Sequence, residues 1–260
     1  MLKSVRKFLN WQRVPANQIH FRHPEKETAV LLGYAVFYIF SGYLIGLIIL
    51  RHPIPVLGAT QFNQDFWYSF VFKILLLLVV PSIIYFIVWK YDSRDLLLGI
   101  RPTPGNIMAT LVMVTLGFFL NASHLQLIQQ NIPHFPDAVF RMTLGVIMPL
   151  FTAALPEELF FRGYLQTRLE KRWGRGIAVL ISAILFTAWH LPSRYLLSDG
   201  IEGQAGNFAD VLLHTGVPVF IIGVVFGFHW SRFRNIILLI LTHWAIDILP
   251  SVSSYFKIRF

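Results

Sequence analysis

The chain has 260 residues, of which 55% are hydrophobic and 13% are charged. That charged fraction is about half of what an ordinary soluble domain carries, so the composition indicates a protein embedded in a membrane. The formal net charge is +9, but Lys and Arg gather between apolar runs, a pattern that favours orientation in a bilayer over nucleic-acid binding. Because the chain has no cysteine, disulfides, thiolate nucleophiles and Cys-ligated metals are excluded.

Residues 1–28 are interpreted as a basic N-terminal segment on the cytoplasmic side of the membrane. The opening MLKSVRKFLNWQRV lacks the continuous apolar core of about 7 to 15 residues that a cleavable signal peptide needs, so we expect the segment to be retained. Its apolar residues recur at helical spacing among Lys and Arg, which is typical of a short amphipathic helix on an anionic inner leaflet. A solvated basic tail is the alternative interpretation.

Residues 29–254 are predicted to form one transmembrane domain, an all-α polytopic bundle of about seven membrane helices. An eighth, hidden or re-entrant segment is left open, and residues 255–260 form a short C-terminal tail. A helix that crosses a bilayer needs about 20 apolar residues, and Pro- and Gly-containing connections separate runs of that length. The apolar runs lie at roughly 29–50, 66–89, 106–127, 139–167, 177–197, 211–230 and 235–254.

The connections between these runs alternate in positive charge. Because Lys- and Arg-rich loops stay on the cytoplasmic side, this asymmetry predicts a cytoplasmic N-terminus and, with seven crossings, a C-terminus on the opposite side. Fifteen such residues lie on the N-terminal side, namely Lys3, Arg6, Lys7, Arg13, Arg22, Lys26, Lys90, Arg94, Arg101, Arg168, Lys171, Arg172, Arg175, Arg232 and Arg234. The opposite side has three, Arg51, Lys257 and Arg259.

The stretch LPEELFFRGYL, residues 155–165, places two adjacent carboxylates and an arginine in an apolar run. Of the thirteen acidic residues, only Glu157, Glu158 and Asp247 fall well inside the predicted spans, and ionisable groups at such depth indicate function. Glu158 and Arg162 are four residues apart, so an ion pair on one helix face would explain Glu158. Glu157 lies about 100° around the helix and needs a partner of its own.

Two later runs contain candidate partners for Glu157. His190 lies in FTAWHLP, and His243 and Asp247 lie one helical turn apart in LTHWAID. At about 1.5 Å of rise per residue, Glu157, His190 and His243 lie roughly 16, 22 and 14 Å from the inner face of the membrane. The three helices thus bring polar groups to a similar depth, which predicts that these groups meet at one buried site.

Two carboxylates, two histidines and an aspartate around one buried point are suited to hydrolysis. Glu157 can take a proton from water, with His190 sharing or orienting that water. His243 and Asp247 can then stabilise the oxyanion of a tetrahedral intermediate. The alternative is Zn²⁺ held by Glu157, His190 and His243, since two His and a carboxylate are a common catalytic set. The chain has no HExxH motif, which lowers the weight of the metal interpretation without removing it.

Other polar residues in the apolar runs carry less weight. Lys73 can snorkel to the membrane surface or pair internally. His124, His214 and His229 lie near the ends of runs, where an imidazole reaches the headgroups easily. No GxSxG motif or Ser–Lys pair stands out, so a serine-type hydrolase is not favoured.

Three motifs occur in order, each on a predicted membrane helix. Glu157, Glu158 and Arg162 form EExxxR, Phe186 and His190 form FxxxH, and His243 and Asp247 form HxxxD. This set resembles the CAAX-protease and bacteriocin-processing (CPBP, or Abi) family of intramembrane endopeptidases, related to the type II CAAX prenyl endopeptidase. The resemblance covers roughly residues 139–254.

The resemblance implies a catalytic site made of the six residues of the motifs other than Phe186. Glu157 would activate water with help from His190, while His243 and Asp247 would stabilise the oxyanion. The last motif position in the family is Asn or Asp, so Asp247 is within the pattern. Relatives are described both as metalloproteases and as metal-free, glutamate-dependent proteases, and we expect the latter, with no cofactor.

The expected protein is a protease of a bacterial cytoplasmic membrane, in contact with membrane lipids and not with nucleic acid. Its substrates would be hydrophobic or lipidated peptides that enter laterally between helices. Two alternatives belong to other classes: a catalytically silent membrane scaffold or bacteriocin-immunity protein, and a transporter whose buried carboxylates and histidines relay protons or bind an ion. Transporters often show inverted repeats, and the sequence has no convincing internal repeat.

Overall fold

The computed structural model describes residues 21–51, 70–96, 102–200 and 202–257. Within these ranges the chain is an all-α bundle with one small two-stranded hairpin. Apolar runs form helices because a helix satisfies its own backbone hydrogen bonds, which lipid cannot do. The amphipathic helix predicted near the N-terminus falls on residues 1–20, outside the described ranges.

Eight helices, numbered in chain order, make up the described part of the bundle. They are α1 (Pro24–Arg51), α2 (70–88), α3 (Pro104–Leu120), α4 (Ala122–Asn131), α5 (Ala138–Trp173), α6 (Arg175–Leu197), α7 (Phe208–Phe233) and α8 (Ile236–Tyr255). Strands β1 (Asp199–Gly200) and β2 (Gly203–Gln204) pair antiparallel between α6 and α7. Short 3₁₀ turns occupy Ser93–Leu96 and Ile132–His134. α2, α5 and α7 include wider π-helical turns, which in α5 cover Leu150–Ala154 and Glu158–Gln166.

All seven predicted apolar runs coincide with helices, but the number of long membrane spans is smaller. Five helices, α1 and α5 to α8, are long and apolar enough to cross a membrane, and the number is six if α3 and α4 form one bent span. The apolar part of α2, Phe72–Val88, is shorter, and residues 52–69 before α2 lie outside the described ranges. The chain is therefore an all-α integral membrane protein, and the number seven stays a prediction.

The run predicted at 106–127 is not one straight helix. α3 and α4 are bent by 55° relative to each other, and the break falls at Asn121. The side-chain amide of Asn121 donates a hydrogen bond to the Ile246 carbonyl oxygen over 3.2 Å. That carbonyl has no partner four residues later in α8, because Pro250 has no N–H. Asn121 thus supplies the hydrogen bond that the proline removes.

α5 lies at the centre of the bundle. Every side chain from residue 160 to residue 170 is buried. Phe160, Phe161, Tyr164 and Leu165 pack in the main apolar cluster, together with side chains from α1, α2 and α6. Polar groups on a helix enclosed on all sides need partners inside the protein.

Two ion pairs stabilise the polar side chains near the end of α5. Arg168 Nε lies 2.8 Å from Glu27 Oε2, and the Tyr91 hydroxyl donates to Glu27 Oε1 over 2.6 Å. Glu170 pairs with Arg234 of the α7–α8 connection. Arg168 and Arg234 were both counted as cytoplasmic loop charges in the sequence, whereas the structure buries them. Their ion pairs with Glu27 and Glu170 are therefore a second reason for their positions.

We predict that Gly145→Ala destabilises the protein by about 1–3 kcal/mol, because an added methyl overpacks the contact between α5 and α8. A Cβ atom at Gly145 would lie 2.5 Å from the backbone Cα of Val252. The matched control is Gly33→Ala in α1, where no atom of the described residues lies within 4 Å of the added Cβ. Thermal unfolding in detergent measures both variants. Equal midpoints for the two variants would contradict the close packing of α5 on α8.

Candidate active site

α5 places Glu158 and Arg162 one turn apart in the closed interior. Both residues are fully buried, and Arg162 Nη1 lies 3.3 Å from Glu158 Oε1. Arg162 Nη2 also donates to the Gly223 carbonyl oxygen over 3.4 Å. The guanidinium carbon lies 4.1 Å from the centroid of the Phe186 ring, close enough for a cation–π contact. The predicted ion pair is therefore present, with α6 and α7 enclosing it.

His243 of α8 lies between two carboxylates. Its Nδ1 is 2.8 Å from Glu158 Oε1, and its Nε2 is 3.2 Å from Asp247 Oδ2. An ionised carboxylate only accepts hydrogen bonds, so with both acids ionised each ring nitrogen of His243 carries a proton. The surroundings favour a positively charged His243 imidazole with a fixed ring orientation.

His190 of α6 has a different arrangement. Its Nδ1 lies 2.7 Å from the Phe186 carbonyl oxygen, one turn earlier in the same helix. Because a carbonyl oxygen only accepts, Nδ1 is the donor, and Nε2 of a neutral imidazole is then an acceptor. That Nε2 lies 3.8 Å from Glu157 Oε2. The sequence pattern FxxxH thus fixes the tautomer of the histidine through its own helix backbone.

Glu157 occupies the centre of the site. Its side chain is 1% exposed, and Oε2 lies 3.8 Å from His190 Nε2 and 3.9 Å from His243 Nε2. Neither carboxylate oxygen has a hydrogen-bond partner among the described residues. The structure therefore brings all six motif residues, three from α5, one from α6 and two from α8, into one cluster.

Lys73 of α2 belongs to the site, although from the sequence alone we gave this residue little weight. Its Nζ lies 3.3 Å from Glu157 Oε1, as an ion pair without hydrogen-bond alignment, and 5.1 Å from the centroid of the Trp189 ring. The sequence left snorkelling and internal pairing open, and the structure shows internal pairing. Two features of the sequence could have indicated this pairing: Lys73 is the only charged residue in the apolar run FVFKILLLLVV, and Glu157 lacked a partner.

Charges in the cluster balance only if one further proton or cation is present. Three carboxylates, those of Glu157, Glu158 and Asp247, face two basic side chains, Lys73 and Arg162. A protonated His243 provides the third positive charge. Because uncompensated buried charge is very costly, these groups form one coupled electrostatic unit.

The cluster is closed on one side and reaches the protein surface on the other. Glu158 and Arg162 are fully buried, whereas the side chains of Asp247, Lys73 and His190 are 34%, 21% and 16% exposed. These partly exposed members lie on α2, α6 and α8, which therefore form the least buried side of the cluster.

The expectation for His229 is wrong. The sequence placed this imidazole at the headgroups, but it is buried, with 5% of its surface exposed, and its ring lies 5.0 Å from that of Phe233. Within the described part of the chain, neither ring nitrogen has a hydrogen-bond partner. α7 continues to Phe233, so His229 lies a turn inside the helix.

The three residues offered as zinc ligands do not fit a preformed metal site. Among residues 21–51, 70–96, 102–200 and 202–257, no group of three or more His, Asp or Glu side chains has an arrangement that can hold a metal ion. Oε1 of Glu157 faces the Lys73 ammonium, and Nε2 of His243 lies next to Asp247. Two of the three candidate ligands are thus engaged by other side chains.

The bundle and its buried polar cluster define an integral membrane protein with a site suited to hydrolysis. Residues 139–249 match the family model described as type II CAAX prenyl endopeptidase Rce1-like. The match confirms the CAAX-protease resemblance drawn from the three motifs, and the family implies a protease. It includes all six motif residues, while Lys73 lies outside it. No curated protein and no solved structure matches the chain.

We predict that Arg162→Met lowers the free energy of unfolding by about 3–5 kcal/mol, because it leaves the buried Glu158 carboxylate without its guanidinium partner. The double variant Glu158→Gln/Arg162→Met should lose less than the sum of the two single variants. Thermal unfolding in detergent gives the three values. Arg172→Met, an exposed position on the same helix, is the control and should change stability by no more than about 0.5 kcal/mol. Additive single effects would contradict the pairing.

Proposed function

We propose that the protein is an intramembrane endopeptidase in which Glu157 activates the attacking water. The observation that carries the proposal is the approach of His190 and His243 Nε2 to Glu157 Oε2, at 3.8 and 3.9 Å. A water with hydrogen bonds of about 2.8 Å to Oε2 and to His190 Nε2 is compatible with these separations. The family match of residues 139–249 supports peptide-bond hydrolysis as the reaction.

The reaction begins with transfer of a proton from water to Oε2 of Glu157. The water oxygen forms a bond to the carbonyl carbon of the scissile peptide, and the carbonyl electron pair moves to its oxygen. Collapse of the tetrahedral intermediate breaks the C–N bond while the Glu157 carboxylic acid delivers its proton to the leaving nitrogen. Glu157 returns to its ionised form, and the second proton of the water stays on the new carboxyl group.

The two histidines have different roles in this proposal. His190 Nε2 is an acceptor because Nδ1 donates to Phe186, so it holds the second proton of the water and orients the oxygen lone pair towards the substrate. His243 lies between Glu158 and Asp247, and in this proposal its positive charge stabilises the developing oxyanion. Asp247 orients the His243 imidazole. In this role Asp247 does not itself donate a hydrogen bond to the oxyanion, so it does not have to be protonated.

A metal-free mechanism is part of the proposal. Zn²⁺ bound by Glu157, His190 and His243 would supply Lewis-acid activation of water. The Lys73 ammonium 3.3 Å from Glu157 Oε1 favours a purely glutamate-based site, because a cation already neutralises this carboxylate.

The proposed substrates are peptides or proteins with a hydrophobic or lipidated segment. The partly exposed rim of the cluster, formed by Asp247, Lys73 and His190, lies on apolar helices of the bundle, which supports lateral entry of such a substrate from the lipid. The distribution of Lys and Arg supports a cytoplasmic N-terminus. We place the protein in a bacterial cytoplasmic membrane.

We predict that Glu157→Gln lowers peptide cleavage by about 10²–10⁴-fold, because an amide cannot take a proton from water. Membranes that contain wild type or variant are compared by peptide mass spectrometry, which identifies the new termini that depend on Glu157. The control is Glu25→Gln, an exposed acid in the first turn of α1, which should cleave like wild type. Identical termini in wild-type and Glu157→Gln membranes would contradict the protease proposal and favour a non-catalytic scaffold.

We predict that removal of divalent metal leaves the rate of cleavage within about two-fold of the untreated rate, because protein groups alone supply the base and the oxyanion stabilisation. Purified protein is treated with a strong zinc chelator, dialysed and assayed on the peptide identified above. Loss of activity that returns on addition of Zn²⁺ would contradict the metal-free mechanism and support the zinc alternative.

A further inference from the structure

We infer that Lys73 is a positioning residue of the proposed site: its ammonium orients the Glu157 carboxylate and leaves Oε2 as the atom that takes the proton. The inference rests on the proposed function. It extends the site beyond residues 139–249, because Lys73 lies on α2, outside the matched segment.

The two oxygens of Glu157 face different surroundings. Oε1 lies 3.3 Å from Lys73 Nζ, whereas Oε2 lies 3.8 Å from His190 Nε2 and 3.9 Å from His243 Nε2. Attraction between the Lys73 ammonium and one carboxylate oxygen fixes the plane of the Glu157 carboxylate. The other oxygen is thereby held towards both histidines.

Lys73 is itself held in place by aromatic packing. Its Nζ lies 5.1 Å from the centroid of the Trp189 ring, a side chain that is 1% exposed. The Trp189 ring in turn contacts Phe72 at 5.5 Å and Tyr38 at 5.2 Å between ring centroids. Trp189, packed against α1 and α2, thus helps to fix the position of the Lys73 ammonium. His190 is the next residue in α6. The lysine and the histidine are therefore positioned by the same part of α6.

The second basic residue of the site, Arg162, has a different partner. Arg162 is paired with Glu158 and donates to the Gly223 carbonyl, and its guanidinium stacks on Phe186. The two carboxylates that are adjacent in sequence are thus neutralised by separate cations from separate helices. Because each carboxylate has its own cation, Glu158 can bind His243 while Glu157 Oε2 faces His190 and the proposed water.

The test uses full-length protein in membranes and the peptide identified by the Glu157 comparison. Lys73→Met should lower kcat by about 10²-fold, the order expected when a reacting group loses its orientation, with KM within about two-fold. Lys73→Arg keeps the positive charge and should recover at least a tenth of wild-type kcat. Lys171→Met, an exposed lysine at the end of α5, is the matched control and should be unchanged. Wild-type kcat in Lys73→Met, or an equal loss in Lys73→Arg, would overturn the inference.

A second measurement covers the case in which Lys73→Met folds poorly. The thermal midpoint is measured for Lys73→Met in the wild-type and in the Glu157→Gln background. Loss of the ion pair predicts a drop in the first background and a smaller drop, or none, in the second. Equal drops would show that Lys73 only packs on Trp189, and would overturn the inference.

The two proposals fail in different ways. Full cleavage by Glu157→Gln removes the proposed function, whatever the behaviour of Lys73. An inactive Glu157→Gln together with a fully active Lys73→Met retains the proposed function and removes only the role of Lys73.

Discussion

Neutralisation of carboxylates inside an apolar bundle is the constraint around which this protein is organised. A lone charge in that medium is very costly, so each acid needs a cation or a proton close by. Arg162 meets Glu158 within α5, His243 lies between Glu158 and Asp247, and Lys73 meets Glu157 from α2. Three helices, α2, α5 and α8, are tied together by these contacts, and Glu157 Oε2 lies beside the imidazoles of His190 and His243. Stability and the proposed chemistry thus depend on one set of charges.

The aromatic residues around the cluster convert this charge balance into fixed geometry. Phe186 lies against the Arg162 guanidinium, and its ring also contacts that of His190 at 4.8 Å between centroids. Its backbone carbonyl accepts the hydrogen bond that sets the tautomer of His190. Phe186 and Trp189, one turn of α6, therefore contact basic groups on two other helices, Arg162 of α5 and Lys73 of α2, and Phe186 also orients His190 of α6. The N-terminal half contributes to the site through α1 and α2, although the family match begins at residue 139.

Features that depend on local sequence could be predicted, and so could the common depth of the polar residues, whereas contacts that depend on how helices rotate against each other could not. A long apolar run specifies a helix by itself, so the described parts of all seven predicted runs lie on helices. The Glu158–Arg162 pair follows from a spacing of four residues, and the convergence of Glu157, His190 and His243 followed from their depth. Lys73 could not be assigned to Glu157, because the relative rotation of α2 and α5 depends on packing. The bend at Asn121 and the burial of His229 depend on neighbouring helices in the same way.

Pro250 makes the insertion of α8 depend on a residue of an earlier helix. The carbonyl of Ile246, which it deprives of a partner, would be exposed to hydrocarbon in an isolated helix, at a cost of several kilocalories per mole. Asn121 fills that position, and during translation it emerges long before α8 does. α8 thus enters a membrane that already contains the donor of this hydrogen bond. Since His243 and Asp247 lie on α8, a chain synthesised only as far as α7 lacks two members of the polar cluster, and the cluster is complete only after α8 has inserted.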